Sequence, residues 1–421
     1  MTITRDDLTA SVQEPAATKA QPTEPLTWSM PTGVPRRIRN VLSLLDFEEE
    51  ARKFLPRPIF GFISGAAEEN AALSDNRGAF AEYGFVPRVL NNVSQRSMAT
   101  KLFGQTFSAP FGIAPMGMSA LCAYRGDLVL TQAARAANVP MIMSGSSLIR
   151  LEEVIAANPD AWFQAYLPGD ETRIEELVHR VQNAGFKTLL LTVDVTVHAN
   201  RENNIRAGFT TPLKPSLQLM LDGLSRPGWL TGVAAKTVFK HGMPHFENSF
   251  ATRGAPIIAK TVMRDFGARD HLNWEHLALM RRLFKGRLIV KGLMHPDDAR
   301  KAREHGVDGV IVSNHGGRQL DYTVSPLRTL KEIADNAGDM TVMFDSGIRR
   351  GTDVLKAIAL GAKFVFVGRP FLYAASIAGE AGAAHAIKIL KEEVLRDMGL
   401  LGINSLDEMT PDLMRRVSGI A

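Results

Sequence analysis

The chain has 421 residues, 45% of them hydrophobic and 22% charged, a composition that fills a large buried core and excludes wholesale disorder. Its 49 basic and 44 acidic residues leave a net charge of +5, too slight an excess to argue for nucleic acid unless it is clustered. The single cysteine, Cys122, excludes an intrachain disulfide and a zinc site built from thiolates, and no metal site is expected.

Residues 1 to about 37 are rich in Pro, Thr, Ala and Gln, show no apolar periodicity and carry none of the marks of a secretion signal. They are expected to form a mobile arm on a cytoplasmic protein, with the folded body running from residue 38 to 421. From Val41 to Phe54 the apolar positions recur at helical spacing until Leu55-Pro56 ends the pattern. Beyond residue 110 come eight short apolar runs: FGIAPM from Phe111, PMIMSG from Pro140, AWFQAYL from Ala161, TLLLTVDV from Thr188, LIVKGL from Leu288, GVIVSNHG from Gly309, TVMFDSG from Thr341 and FVFVGRP from Phe364. Most are nearly continuous in hydrophobicity, as strands covered on both faces are. Between them lie helical patterns such as ETRIEELVHRVQNAG, PDDARKAREHG, LRTLKEIADNAG and GTDVLKAIALGA, several closed by a glycine suited to a left-handed stop. Six of the seven steps between run starts are 21 to 32 residues long, one βα unit each, whereas Thr188 to Leu288 spans 100 residues and marks an insertion. Eight such units predict an α/β fold of the (β/α)8 TIM-barrel type, with an N-terminal helical segment and a long insertion after the fourth strand. A doubly wound open sheet is the alternative, because strand order is not visible in one sequence.

A barrel carries its chemistry at the C-terminal ends of its strands. There the sequence offers Met116-Gly117, Ser144, Gln164 with Tyr166, Thr192 with Asp194, Lys291, Ser313-Asn314-His315, Asp345 and Gly368-Arg369. DSGIRRG and VGRP follow the last two runs, where barrels cradle phosphate with glycine amides and a basic side chain, so Gly347, Arg349, Gly368 and Arg369 are phosphate candidates. Lys291 ends an apolar strand and needs an anionic or electron-rich partner in the barrel mouth, such as a reduced flavin. In SNHGGRQLD, His315 and Arg318 follow one strand within a glycine-rich turn and pair a base that titrates near neutrality with a carboxylate clamp. Asp194, at the end of the fourth run, is placed to orient the imidazole.

Taken together, SNHGGRQLD, DSGIRRGTDVLKAIALGA, FVFVGRP, LTVDV, FQAYL and IVKG resemble the FMN-dependent L-2-hydroxy acid oxidases and dehydrogenases, over about residues 45 to 400. Glycolate oxidase and the flavin-type lactate and mandelate dehydrogenases belong to that family. The resemblance implies bound FMN and oxidation of an L-2-hydroxy acid to the 2-oxo acid, with His315 as the base and Asp194 as its support. It implies that Tyr166, Arg201 and Arg318 contact the substrate. Gly117, Ser144, Gln164, Thr192 and Lys291 would line the flavin ring, Asp345 would hold the ribityl chain, and Gly347, Arg349, Gly368 and Arg369 the phosphate. Pro115, Met116, Ser313, Gly316 and Ser346 would complete the cofactor contacts. A homotetramer is the family's habit. The acceptor is expected to be a quinone; the alternatives are an oxygen-using oxidase and a barrel that holds FMN without catalysis.

Two positions depart from the family. Phe62 stands in LPRPIFGFISGAAEE where a tyrosine usually offers its hydroxyl to the substrate, which favours a larger, less polar substrate side chain or a changed binding mode. Met116 replaces a threonine common in glycolate oxidases. The insertion, about residues 203–270, is distinctive too. From Arg206 to Arg253 it carries Arg206, Lys214, Arg226, Lys236, Lys240 and Arg253 against only Asp222 and Glu247, interleaved with apolar residues such as Leu217, Met220, Leu221, Trp229 and Phe239. That mixture suits an anionic membrane surface, and LQLMLDGLSRPGW resembles the membrane-associated members of the family. The competing expectation is an active-site lid or subunit contact.

Overall fold

The computed structural model describes residues 33–214, 216–260 and 269–417; residues 1–32 of the expected arm lie outside the described residues. All eight apolar runs form strands: β1 (Phe111–Ile113), β2 (Ile142–Ser144), β3 (Trp162–Ala165), β4 (Thr188–Thr192), β5 (Arg287–Leu293), β6 (Gly309–Val312), β7 (Thr341–Asp345) and β8 (Phe364–Val367). Every pairing is parallel. The order β1-β8-β7-β6-β5-β4-β3-β2 is closed by a parallel bridge from Ile113 to Met141. A closed ring removes the open-sheet alternative: this is a (β/α)8 TIM barrel.

The continuous hydrophobicity of the runs has a direct structural cause. Alternate residues enter two different cores. Ile142, Trp162, Leu190, Ile289, Ile311, Met343, Phe364 and Phe366 pack together with Leu102 and Phe107 from a short hairpin, Thr100–Leu102 paired with Gln105–Phe107. Their neighbours in sequence, such as Phe163, Leu189, Val290, Val310 and Phe344, join the core formed with the surrounding helices. Those helices include the four expected segments, Glu171–Asn183, Pro296–Glu304, Pro326–Asn336 and Gly351–Ala359.

The N-terminal helix begins later than its periodicity suggests, at Asp46 rather than Val41. The Asp46 carboxylate accepts from the amides of Leu42 and Ser43, both at 2.9 Å, and holds those residues in a turn. Val41, Leu44, Phe47 and Ala51 are all buried nonetheless, so the apolar spacing records packing, not continuous helix. Next comes the helix Arg57–Ser64, which carries Phe62.

Among its described residues the insertion carries the helical segments Glu202–Ala207, Leu217–Leu224, Pro227–Trp229 and Lys236–His241. It is pinned to the barrel by Trp229 Nε1 donating to the Leu121 carbonyl at 2.8 Å, by Arg226 Nε donating to the Leu55 carbonyl at 3.3 Å, and by a 2.9 Å contact between Tyr124 OH and His241 Nε2. Among the described residues no helix is long and apolar enough to cross a membrane.

Candidate active site

The loop after β6 takes an unusual path. His315, Gly316 and Gly317 all have positive φ, at 57°, 67° and 76°. A Cβ at Gly317 would lie 2.7 Å from the Leu73 amide nitrogen, so only glycine fits there. Ser313 Oγ secures the turn by accepting from the His315 amide at 3.1 Å and from Lys291 Nζ at 2.9 Å. His315 Nδ1 lies 2.8 Å from Asp194 Oδ1. With that proton directed at the carboxylate, Nε2 is left as an acceptor, 3.5 Å from the Tyr166 hydroxyl. Asp194 is held in turn by Gln319, whose Nε2 donates to its main-chain carbonyl at 3.0 Å.

Burial sets the electrostatics. It pushes the His315 imidazole below its ordinary value of 6.5, although Asp194 pulls the other way. Burial disfavours the Asp194 carboxylate as well, but His315 and Lys291 outweigh it and keep the group ionised below the usual carboxylate range. Lys291 is 4% exposed and lies 3.1 Å from Asp345. Burial opposes its charge, and Asp345, Asp194 and Tyr166 together restore it, so its pKa is raised. The anionic partner that its position demands is therefore already supplied by β7, without a bound ligand.

Several guanidiniums converge nearby. Arg318 Nη1 donates to the carbonyls of Gly65 at 2.6 Å and Ile63 at 3.4 Å, and its Cζ lies 5.1 Å from the Phe62 ring centre. Arg369 donates to the same two carbonyls, at 3.0 and 2.9 Å, and to the Gly316 carbonyl at 3.1 Å. Arg201 donates from Nε to the Arg318 carbonyl at 3.0 Å and from Nη2 to the Gln319 side chain. Desolvation and the neighbouring cations Arg201 and Arg369 push Arg318 well below its ordinary range, and burial with Arg369 and Arg77 brings Arg349 down to about 10. Clustered, partly buried cations of this kind call for anions.

Beside them, Ser346 and Gly347 turn through φ values of 86° and 88°. Asp353 Oδ2 anchors that loop, accepting from the Arg349 and Arg350 amides at 2.8 and 3.0 Å and from Arg77 at 2.8 Å. Gly368 opens the helix Arg369–Leu401, whose N-terminus faces the same region and favours negative charge.

Most of the expected site residues meet at one cavity over the barrel mouth. Phe62, Pro115, Met116, Gly117, Tyr166, Thr192, Lys291, His315, Gly316, Arg318, Asp345, Ser346, Gly347, Arg349, Gly368 and Arg369 line it. An adjoining outer chamber shares Phe62, Gly117, Tyr166, His315 and Arg318 and adds Arg201. Asp194 and Ser313 bond to the lining residues His315 and Lys291, and Ser144 Oγ lies 3.2 Å from Gln164 Oε1. Sequence reasoning did not find the carbonyls of Ile63 and Gly65, the Arg77–Asp353 pair, Gln319, or Phe209 stacked on Phe62 at 4.6 Å.

The cavity fits FMN on its own terms. Gln164 Nε2 and Thr192 Oγ1 are buried without a protein partner, which suits the hydrogen-bonding edge of a flavin ring. Arg349, Arg369, the 346–347 turn and the helix N-terminus suit a phosphate.

Comparison with known proteins agrees. The family described as FMN-dependent dehydrogenase matches residues 51–416. The chain is 33% identical to (S)-mandelate dehydrogenase of Pseudomonas putida over 90% of its own length and 94% of that protein's. It is 35% identical to L-lactate dehydrogenase of Pectobacterium atrosepticum, over 89% and 96% of the two chains. Among solved structures, that of the monotopic membrane protein (S)-mandelate dehydrogenase superposes with a TM-score of 0.84 at 33% identity, covering 90% of this chain and 100% of the other. Mandelate oxidase with benzoyl-formic acid superposes with a TM-score of 0.75 at 32% identity, covering 91% and 100%. A match of this extent, on a barrel whose mouth accommodates a flavin and its phosphate, makes the chain a member of the FMN-dependent dehydrogenase family.

Proposed function

We propose that the protein oxidises an L-2-hydroxy acid of the lactate or mandelate kind to the 2-oxo acid and passes the electrons to a quinone. One observation carries the reading: a partly buried imidazole, pinned by a carboxylate at 2.8 Å, opens its other nitrogen onto a cavity that also holds the Arg318 guanidinium. The names of the relatives supply the substrate class.

In this reading Arg318 and Arg201 bind the substrate carboxylate, and the Tyr166 hydroxyl steadies the oxygen at C2. His315 Nε2 takes a proton from the substrate, and Asp194 stabilises the imidazolium that forms. Bound FMN supplies the two-electron acceptor at N5. Lys291 offsets negative charge at the ring edge, while Arg349, Arg369, Gly347 and Gly368 hold the phosphate. Phe62 offers no hydroxyl and instead stacks on Phe209, which favours a substrate side chain larger and less polar than a methyl group.

The insertion is read as a peripheral membrane contact on the inner face of the cell membrane. Leu217, Met220, Leu221, Leu224 and Val238 are exposed on it, and Phe239 is 89% exposed. A relative of similar fold is described as a monotopic membrane protein. A quinone acceptor follows from that location, with oxygen as the alternative, and a homotetramer is the expected assembly.

The test is anaerobic mixing of the holoenzyme with 2-hydroxy acids of increasing size, followed by reoxidation with oxygen or a quinone analogue. Bleaching of the flavin is expected with at least one acid, and His315→Ala is expected to abolish it while FMN stays bound. Unchanged bleaching in His315→Ala would overturn the assignment.

A further inference from the structure

We propose that the outer chamber is also where a membrane-borne quinone is reduced, so that hydroxy acid and electron acceptor use one opening in turn. The inference rests on the dehydrogenase reading and concerns its second half-reaction. The chamber shares Phe62, Gly117, Tyr166, His315 and Arg318 with the flavin cavity, so whatever occupies it stands against the side chains read as acting on the substrate.

Its remaining wall holds the cations Arg201, Lys214 and Arg269, which suit a carboxylate, and beside them a broader apolar surface than a small hydroxy acid needs. Met118, Val197, Ile205, Phe209 and Pro212 make much of it apolar. Phe62 and Phe209 lie with ring planes 28° apart, an aromatic pair against which a planar ring packs well. At the outer rim Val197 and Ile205 are 62% and 71% exposed, and a small polar acid arriving from water gains nothing from them. An acceptor with a long apolar tail does.

The rim and the surface read as membrane-facing are carried by helices that pack on one common helix. Ile205 lies on the helix Glu202–Ala207, which packs on the Phe62-bearing helix Arg57–Ser64. The exposed apolar helix Leu217–Leu224 packs on that same helix. The chamber thus shares a supporting helix with the docking surface. At its inner end the Tyr166 hydroxyl and His315 offer hydrogen bonds to a ring carbonyl.

The chemistry balances. The hydroxy acid loses two electrons and two protons as its C2–H and O–H bonds break and a carbonyl forms. The quinone gains two electrons and two protons as its two carbonyls become hydroxyls. One of those protons is the one His315 has held, and the second leaves with the electrons from the cofactor.

One opening for both partners means that the 2-oxo acid and the quinone exclude each other. The holoenzyme is photoreduced, which needs no hydroxy acid, and mixed with decylubiquinone or with ferricyanide while reoxidation is followed. Benzoylformate or pyruvate is expected to slow decylubiquinone competitively. Ile205→Glu and, separately, Val197→Glu are expected to lower the ratio of the decylubiquinone rate to the ferricyanide rate at least fivefold, with FMN content and circular dichroism checked against the parent protein. Ile205→Gln serves as the milder variant should the glutamates fail to fold. Non-competitive behaviour of both oxo acids, or an unchanged ratio in the folded variants, overturns the proposal. Failure of every hydroxy acid to bleach the flavin would instead sink the dehydrogenase reading, and the photoreduced comparison keeps the two failures apart.

Discussion

At His315 a non-glycine residue sits at φ 57°, a conformation that costs a side chain on the order of 1–2 kcal/mol. The cost is tolerated because Ser313 and Asp194 hold both ends of the residue. Burial lowers the pKa of its imidazole, so the base stays neutral as pH falls below 6.5 and is lost only when pH passes through that lowered value. The pH profile of anaerobic flavin reduction is therefore expected to hold its plateau below pH 6.5 before falling on the acid side. Asp194 raises the pKa of His315, so Asp194→Asn is expected to move the acid limb to still lower pH. The same change should reduce the plateau by about 10- to 100-fold, the worth of a charge-assisted hydrogen bond of roughly 1.5–3 kcal/mol. A limb that stays in place would remove Asp194 from its supporting role. Phe62 gives a second residue-scale prediction. A tyrosine there restores one neutral hydrogen bond, so Phe62→Tyr is expected to raise kcat/KM for lactate relative to mandelate by about two- to tenfold. Equal effects on every acid tried would detach Phe62 from substrate choice.

At the scale of elements, the turn after β7 and the helix Ala71–Ala81 fit each other closely. A Cβ on Gly347 would stand 2.1 Å from the Asn76 carbonyl oxygen, and its φ of 88° already disfavours any side chain. Gly347→Ala must displace backbone on the phosphate side of the cavity. It is expected to lower FMN affinity at least tenfold in a fluorescence titration of the apoprotein, and an unchanged Kd would move the phosphate elsewhere. The strands themselves were legible in the sequence because both of their faces are apolar, and His315, Arg318, Asp345 and Arg369 were legible because each follows such a run. What escaped was whatever depends on tertiary register. Lys291 finds Asp345 across an intervening strand, a pairing that no spacing in the chain announces. The carbonyls of Ile63 and Gly65, acceptors for two guanidiniums, carry no side-chain signature at all. The Val41–Leu45 turn read as helix because its apolar residues keep helical spacing while Asp46 captures the amides ahead of it.

For the molecule as a whole, the question is where the insertion goes. It is fixed to the barrel through Trp229 and Arg226, yet Leu217, Met220, Leu221, Leu224, Val238 and Phe239 remain exposed, with Lys236 and Lys240 exposed beside them. A lid would bury its apolar side chains against the cavity, whereas these are exposed to solvent on a segment already fastened to the barrel. Burying a leucine-sized side chain is worth roughly 1.5–3 kcal/mol, and each basic residue near an anionic surface adds about 1 kcal/mol, weakened by salt. The protein is therefore expected to sediment with vesicles containing phosphatidylglycerol at low salt and to bind neutral vesicles less well. Leu221→Asp with Leu224→Asp is expected to reduce vesicle binding by at least about tenfold while leaving bound FMN and flavin reduction by the hydroxy acid intact, since neither residue lines the flavin cavity. Lys236→Gln with Lys240→Gln should weaken binding to anionic vesicles and flatten its salt dependence while leaving neutral vesicles unaffected. If the parent protein ignored both kinds of vesicle, the insertion would be a lid or a subunit contact after all, and the quinone would have to be replaced by an acceptor that arrives from water.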